Sequence, residues 1–286
     1  MSTPAAEADV TTDLVRGLLA DQHPDLADLP VEPLAQGWDN ASFRVGRDLI
    51  ARLPRRAASA ALVAHEQRWL PGIAPRLPLP VPAPARTGRP GRDYPWAWSV
   101  VPYLPGRPAA HEVPNDAAGS LGSFLAALHV PASPDAPANR FRGIPLAGRR
   151  ANDLRNLAAL DGVVDRSAAL RVHEDALAAR VWDGPPVWLH GDLHPANILV
   201  SDGKVSGVID FGDLTSGDPA TDLAVAWMLG VPGEDFEAAY GRVGDRDLWR
   251  RARGWALAFG LVFSAHSADN PLMASIGRRT LNSVLA

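Results

Sequence analysis

Six prolines fall between Pro71 and Pro84. A central β-strand tolerates none of them, because each fixes φ and removes a ladder donor. The stretch is therefore an extended connector or a sheet edge, and any central strand must lie to one side of it. A second break, Tyr103-Leu-Pro-Gly-Arg-Pro108, follows the aromatic and β-branched run Tyr94 to Pro102, which reads as a strand. The domain boundary is placed at this second break. It gives an N-terminal unit over 1–103 and a C-terminal unit over 104–286.

The first unit reads as helix, small sheet, helix and strand. Residues 10–20 form a short helix with Leu14, Leu18 and Leu19 on one side. Val31–Gln36, Ala41–Val45 and Leu49–Leu53 are strands, joined by Gly37-Trp38-Asp39-Asn40 and by Gly46-Arg47-Asp48, so they predict an antiparallel meander. In the helix at 57–70, Leu62, Glu66, Trp69 and Leu70 share one face, which puts a carboxylate beside an apolar stripe. Either Glu66 reaches water at the stripe's edge or it has a cationic partner, since an unpaired buried charge costs several kcal/mol.

The second unit is mainly helical. Asp116 is placed as the cap of a helix carrying Ala117, Leu121, Phe124, Leu125 and Leu128. Helices are expected at 148–159 and 166–180, after a loop from Pro131 to Pro145. Val187–Leu189, Ile198–Val200 and Ser206–Ile209 form a β insert, with Asp202-Gly203 as a hairpin turn. Asp218-Pro219 caps the helical remainder, in which Trp255 to Phe263 is apolar nearly all round and so buried. The fold class is α+β with two lobes.

Composition removes several classes. At 47% hydrophobic over 286 residues the chain is globular, not disordered. The longest apolar stretch, Gly254 to Phe263, is half of what a bilayer needs. With no cysteine, disulfides, thiolate metal sites and cysteine nucleophiles are excluded. The N-terminus lacks the basic and apolar regions of a signal peptide, so a cytoplasmic protein is expected. A net charge of −4 argues against nucleic acid as a partner. Lys204 is the single lysine among 28 basic residues, so phosphate contacts elsewhere must come from Arg, His or backbone.

The densest polar cluster is Trp188-Leu-His190-Gly-Asp192-Leu-His194-Pro-Ala-Asn197-Ile-Leu-Val200. It leaves one apolar strand, crosses a polar loop and enters another, and the following hairpin returns Asp210 beside that loop. Asn197 and Asp210 are hard oxygen ligands of the kind Mg²⁺ takes alongside waters and phosphates. Asp192 is then free to accept a proton from a nucleophile, which completes what phosphoryl transfer from Mg-ATP requires. Two alternatives stand beside this reading. The polar residues merely cap turns, or His190, Asp192 and His194 alternate on one strand face as a Zn²⁺ or dinuclear hydrolase site. Gly191 and Pro195 favour a loop over that strand.

His190-Gly-Asp192-Leu-His194-Pro-Ala-Asn197, followed by Ile209-Asp210-Phe211-Gly212-Asp213, resembles the catalytic and metal loops of the aminoglycoside phosphotransferase family. Its members share the bilobal protein-kinase-like fold, with a small antiparallel-sheet N-lobe and a mainly helical C-lobe, and with loops of the H-R-D-x-x-x-x-N and D-F-G type. The resemblance runs from about Leu34 to Trp227. It implies that Asp192 is the catalytic base, that Asn197 and Asp210 hold Mg²⁺, and that His190 is structural and packs near Phe211. It puts His194 where protein kinases have a lysine near the transferred phosphate. Asp213, Asp218 and Asp222 are read as mainly structural.

In the first lobe the strand Leu49-Ile-Ala-Arg52-Leu stands where a kinase has its phosphate-binding lysine. Arg52 takes that role, with Glu66 as ion-pair partner. Asn40 and Ser42 lie on the nucleotide loop, and Val101 and Tyr103 fall at the adenine hinge. The implied activity is transfer of the γ-phosphate of ATP to a hydroxyl of a small molecule, by a monomer or weak dimer that binds neither nucleic acid nor membrane. Aminoglycoside or macrolide antibiotics, and with them antibiotic resistance, are one acceptor class. Ordinary metabolites are the alternative, and a nucleotide-binding regulatory protein without turnover is another. Glu234, Asp235, Glu237, Asp245, Asp247 and Asp269 would suit a cationic acceptor, and Trp227, Tyr240, Trp249, Trp255 and Phe259 an apolar ring; in the simpler reading they are surface acids and core aromatics.

Overall fold

The computed structural model describes residues 5–286. Met1 to Pro4, the first part of the segment read as lacking a leader, lie outside the described residues. Helix α1 (Thr12–Gln22) is capped by Thr11, whose hydroxyl accepts from the Leu14 N–H at 3.2 Å. Strands β1 (Val31–Gln36), β2 (Asn40–Val45) and β3 (Leu49–Pro54) form the expected meander, followed by α2 (Ala57–Ile73), β4 (Arg86–Gly88) and β5 (Trp98–Pro102). All five strands pair antiparallel in the order β1-β2-β3-β5-β4. Pro33 sits on the edge strand β1, where the register shifts by a bulge, as a residue without an N–H requires.

Strand alternation sets the two faces of this sheet. Ala41, Phe43 and Val45 of β2 and Ala51 and Leu53 of β3 are buried in a core shared with Val15, Leu18 and Leu19 of α1 and with Trp98. The intervening residues Asn40, Ser42, Ile50 and Arg52 therefore point to the opposite face, where they line a cleft.

The rest of the chain adds β6 (Arg107–Pro108), α3 (Ala117–Leu128), α4 (Arg150–Ala159), α5 (Arg166–Ala178), β7 (Val187–Leu189), β8 (Ile198–Ser201), β9 (Lys204–Val208) and β10 (Thr215–Gly217). It ends in α6 (Ala220–Leu223), α7 (Val225–Leu229), α8 (Glu234–Tyr240), α9 (Arg246–His266) and α10 (Pro271–Leu285). These build a second core that includes Phe124, Phe211, Phe236 and Trp255. Trp255 to Phe263 lies inside the buried helix α9, as its apolar character requires. The β8–β9 hairpin turns at Asp202 and Gly203, both at positive φ (51° and 72°), and exposes Lys204 at its tip. Among the described residues no helix is long and apolar enough to cross a membrane.

Several boundaries depart from the sequence reading. The strand expected from Tyr94 begins at Trp98, because Pro95 interrupts it and Tyr94 pairs only with Gly91 in an isolated bridge. Helix α2 continues through Pro71 to Ile73; a proline this close to the end costs only one helical hydrogen bond. Asp116 does not cap α3 with its side chain. Its carboxylate instead accepts from the Ser120 hydroxyl (2.7 Å) and the Val205 N–H (2.9 Å), tying α3 to β9.

Two stability tests follow from this packing. A Cβ built on Gly277 of α10 lies 2.7 Å from the Ser264 backbone nitrogen of α9, whereas one on Gly119 of α3 meets nothing within 4 Å. Urea denaturation of Gly277→Ala is expected to show a loss of roughly 1–3 kcal/mol from overpacking. Gly119→Ala is expected to gain roughly 0.5–1 kcal/mol. The second test concerns Asp153 of α4, buried beside Arg149 and His173, whose carboxyl burial pushes up to about 6. A raised folded value means that the protonated form is favoured in the folded state. Its contribution is present below the ordinary carboxylate range and is lost as pH rises through about 6. The wild type is therefore expected to lose roughly 2–3 kcal/mol of unfolding free energy between pH 4 and pH 7 from this group. Asp153→Asn should flatten that slope; an unchanged slope would assign it elsewhere.

Candidate active site

The polar loop is built between two sheets. β7 pairs with β10, placing Leu189 opposite Thr215, and β8 pairs with β9, placing Ile198 opposite Val208. The Ile209 N–H donates to the Asn197 carbonyl at 2.9 Å, so Asp210 emerges beside the loop that carries Asp192 and Asn197. At Gly191 φ is +84° and a Cβ would lie 2.3 Å from the Asp213 carbonyl oxygen, so the backbone there admits only glycine.

The loop is held from below by Asp222 of α6. This carboxylate is 1% exposed, and it accepts from the His190 N–H (2.7 Å) and the Gly191 N–H (2.9 Å). His129 Nε2 lies 3.2 Å from the same carboxylate, and His129 Nδ1 lies 2.9 Å from the Tyr240 hydroxyl. The carboxylate thus fixes the His129 tautomer: Nε2 donates and Nδ1 accepts. Burial pushes the Tyr240 phenol well above its ordinary value. Sequence reasoning read Asp222 as structural but gave no sign that it anchors this loop.

His190 is fully buried, with its ring 4.6 Å from that of Phe211 and Nε2 donating to the Ile209 carbonyl at 3.0 Å. Its Nδ1 accepts from the Asp192 N–H at 3.3 Å. Both ring nitrogens are used, and the strand stops at Leu189, so His190, Asp192 and His194 do not share a strand face. The zinc alternative fails on this geometry.

Asp192 is 27% exposed. Arg142 Nη2 donates to its Oδ1 at 3.1 Å and His194 Nε2 lies 3.4 Å from its Oδ2. Burial works to raise this carboxyl, but His194, Arg142 and His190 together outweigh it and hold the group well below the usual carboxylate range. Arg142, from the loop before α4, was missed; it lies 50 residues away in sequence and no local pattern marks it. Asp213 takes a hydrogen bond from Asn139 Nδ2 at 2.8 Å, and burial and the neighbouring Asp192 push it up.

Above this loop, Arg52 of β3 joins the two lobes. Its Nη1 donates to both oxygens of Glu66 on α2 (3.1 and 3.0 Å) and its Nη2 to Asp210 Oδ1 (3.2 Å). Glu66 is 2% exposed, which removes the reading that it reaches water; burial pushes its carboxyl up against the pull of Arg52. Asp210 is a non-glycine residue at φ 64°, ψ 68°, and is 56% exposed toward the cleft. A left-handed aspartate costs conformational energy that the surrounding contacts must offset.

The cleft encloses about 380 Å³. Its lining includes Asn40, Ser42, Arg52, Val101, Tyr103 and Asp210. Six of the sequence-chosen residues therefore meet there, with Glu66 behind Arg52. Asp192, His194 and Asn197 are not in that lining and connect to it through Ile209 and Asp210. The Tyr103 N–H is taken by the Asp48 carbonyl at 2.8 Å, and its ring is covered by the Arg44 guanidinium at 3.4 Å. The loop at Gly37–Asn40 is fastened to α2 by Asp39, which accepts from Arg56 Nη2 (2.8 Å) and the Ser59 hydroxyl (2.6 Å).

The donor set suits Mg²⁺. Asn197 Nδ2 donates to the Asp192 carbonyl at 3.0 Å, which leaves the amide oxygen as its free ligand atom, and Asp210 adds a carboxylate aimed into the cleft. Three of the six acids after residue 230 have other partners. Asp245 caps α9 through the Leu248 N–H, Asp247 pairs with Arg250, and Glu237 accepts from the Gly244 N–H. Trp227, Tyr240 and Trp249 pack on one another as core.

Comparison with known proteins bears on the family and the fold. A model of the phosphotransferase enzyme family matches residues 30–255. The homoserine kinase of Gluconacetobacter diazotrophicus is 30% identical over 275 residues, spanning 83% of this chain and 77% of that one. The GDP complex of wild-type aminoglycoside 2'-phosphotransferase-IIIa superposes with a TM-score of 0.63 at 19% identity, over 96% of this chain and 99% of that chain, a likeness of fold alone. The macrolide 2'-phosphotransferase MphH from Brachybacterium faecium, as apoenzyme, gives a TM-score of 0.57 at 25% identity, over 95% and 97%. With its bilobal, protein-kinase-like fold, the chain belongs to the phosphotransferase enzyme family, as a small-molecule kinase with an alcohol group as acceptor.

Proposed function

We propose that this enzyme transfers the γ-phosphoryl group of ATP to a hydroxyl of a small metabolite. The observation that carries the reading is the Arg52 fork, which ties the sheet of the first lobe to Glu66 and Asp210 at the floor of the cleft. Nucleotide phosphates entering there meet a permanent, bidentate cation already oriented by two carboxylates. Asn40 and Ser42 cover the phosphates, and Val101 and Tyr103 border the base. Asn197 and Asp210 would hold Mg²⁺, which when bound neutralises charge on the phosphate oxygens.

Asp192 orients the acceptor. His194 and Arg142 keep it ionised, so it accepts the hydroxyl's hydrogen bond and orients the oxygen; the proton passes to it late, as the phosphorus–oxygen bond forms and the hydroxyl becomes acidic. The hydroxyl oxygen bonds to the γ-phosphorus as the bond from that phosphorus to the β–γ bridging oxygen breaks, and ADP leaves. His194, 3.4 Å from Asp192, positions the base from its other oxygen. A metabolite is favoured over an aminoglycoside because three of the six acids after residue 230, Glu237, Asp245 and Asp247, are used in a loop contact, a helix cap and an ion pair. The homoserine kinase relative acts on an acceptor of this metabolite kind by its name.

Two variants test the reading. Asp192→Asn is expected to lower acceptor-dependent ADP release by roughly 10²- to 10⁴-fold while leaving nucleotide affinity in a calorimetric titration intact. Unchanged turnover would remove Asp192 from the mechanism. Arg52→Met should weaken nucleotide binding roughly 10- to 100-fold and destabilise the free protein by roughly 3–5 kcal/mol, since it strands the buried Glu66. The double variant Arg52→Met with Glu66→Leu should recover much of the stability but none of the affinity. Recovery of both would show that Arg52 serves the fold and not the nucleotide.

A further inference from the structure

Helix α9 presents Trp255, Phe259 and Phe263 at i, i+4 and i+8, which is one face. Their ring centroids are 5.9 and 5.7 Å apart. Each ring carries a basic side chain from a different part of the chain. The Arg149 guanidinium lies 4.9 Å from the Trp255 ring and that of Arg142 4.7 Å from Phe259, while the His194 ring meets Phe263 edge-on at 5.6 Å. The ladder thus aligns three nitrogen-bearing side chains about one turn apart, beginning beside Asp192.

Arg142 is the middle rung, and it makes one hydrogen bond with its five N–H donors. Among the described residues, Nη2 donates to Asp192 Oδ1, Nη1 has no hydrogen-bond partner, and Nε is buried without an acceptor. Its side chain is 19% exposed. Arg149 fixes the backbone beneath it, with Nη1 donating to the Phe141 carbonyl at 2.9 Å. A planar guanidinium with one terminal nitrogen engaged and the other open is a receptor for a carboxylate, which takes both at once. A polyamine brought to the same place meets two arginines.

Within the kinase reading above, we propose that the acceptor is an alcohol that also bears a carboxylate, and that Arg142, in contact with Asp192, is the residue that selects it. The acceptor's carboxylate takes the Nη1–Nη2 fork, which releases Asp192 Oδ1 to receive the hydroxyl. The hydroxyl oxygen then bonds to the γ-phosphorus, the β–γ bridging oxygen departs with ADP, and the proton goes to Asp192. Water carries no group that displaces Arg142, so the base stays covered when only nucleotide is present.

The test pairs each acceptor with its uncharged twin: homoserine with homoserinamide, serine with serinamide, and 4-hydroxybutyrate with 4-hydroxybutyramide, alongside kanamycin. ADP release is measured in wild type, Arg142→Met and Arg142→Lys. At least one carboxylate should exceed its amide in kcat/KM by roughly 10- to 100-fold. That ratio should collapse toward one in Arg142→Met and be partly restored in Arg142→Lys. A purely structural role would lower both members of a pair equally and leave the ratio standing, which overturns the proposal. Turnover of amides or kanamycin above every carboxylate also overturns it, while leaving the kinase reading intact. Absence of ADP release with every acceptor, together with absence of nucleotide binding in the titration, overturns both.

Discussion

A carboxylate with almost no access to water holds the polar loop of the candidate active site in place. Asp222 accepts two successive backbone N–H groups, from His190 and Gly191, and meets His129 on the same side chain. A buried charge of this kind is stable only when its acceptor positions are filled, and stranding it costs several kcal/mol. The backbone therefore has one way to pass from β7 into the loop. Gly191 then turns it at a positive φ, His190 is packed inward, and Asp192 is left partly exposed. The position of the proposed base is set by a buried side chain that is not part of the cleft lining.

Arg52 plays the corresponding part between the lobes. A lysine at that position would offer one nitrogen to two acids and a phosphate. The guanidinium offers a planar fork, with one nitrogen on Glu66 and the other on Asp210. The lobes are thus already coupled through a charged contact before nucleotide arrives. Bound phosphate would enter that contact as a third anion around one cation.

The parts of this arrangement that were legible in the sequence are those written locally. The β1–β3 meander, the Asp202-Gly203 hairpin, the buried run of α9 and the spacing of Asp192, Asn197 and Asp210 all rest on neighbours in the chain. The acid on an apolar stripe left two readings of Glu66 open, and the family resemblance named Arg52 as its partner. What escaped were contacts made across the fold by residues with no pattern of their own. Arg142 comes from an irregular loop, Asp222 reaches back 32 residues to the backbone of His190, and Asp116 bonds to β9 instead of capping its helix. The acids after residue 230 left two readings open for the complementary reason: composition shows that charges exist, and only packing shows that Glu237, Asp245 and Asp247 are already used. The α2 and β5 boundaries moved because proline removes one donor, and the cost of that depends on where in the element it falls.

The reliance on arginine has a chemical side effect. Apart from the chain's own α-amino group, the only primary amine is the ε-amino group of Lys204, exposed at the tip of the β8–β9 hairpin and absent from the cleft lining. Guanidinium groups are protonated at neutral pH and do not react as nucleophiles. Acyl-phosphate or activated-ester reagents that capture kinases through a phosphate-anchoring lysine would therefore find nothing to label in this nucleotide site. The same reagents would attach a dye or a surface tether at Lys204 without touching the cleft.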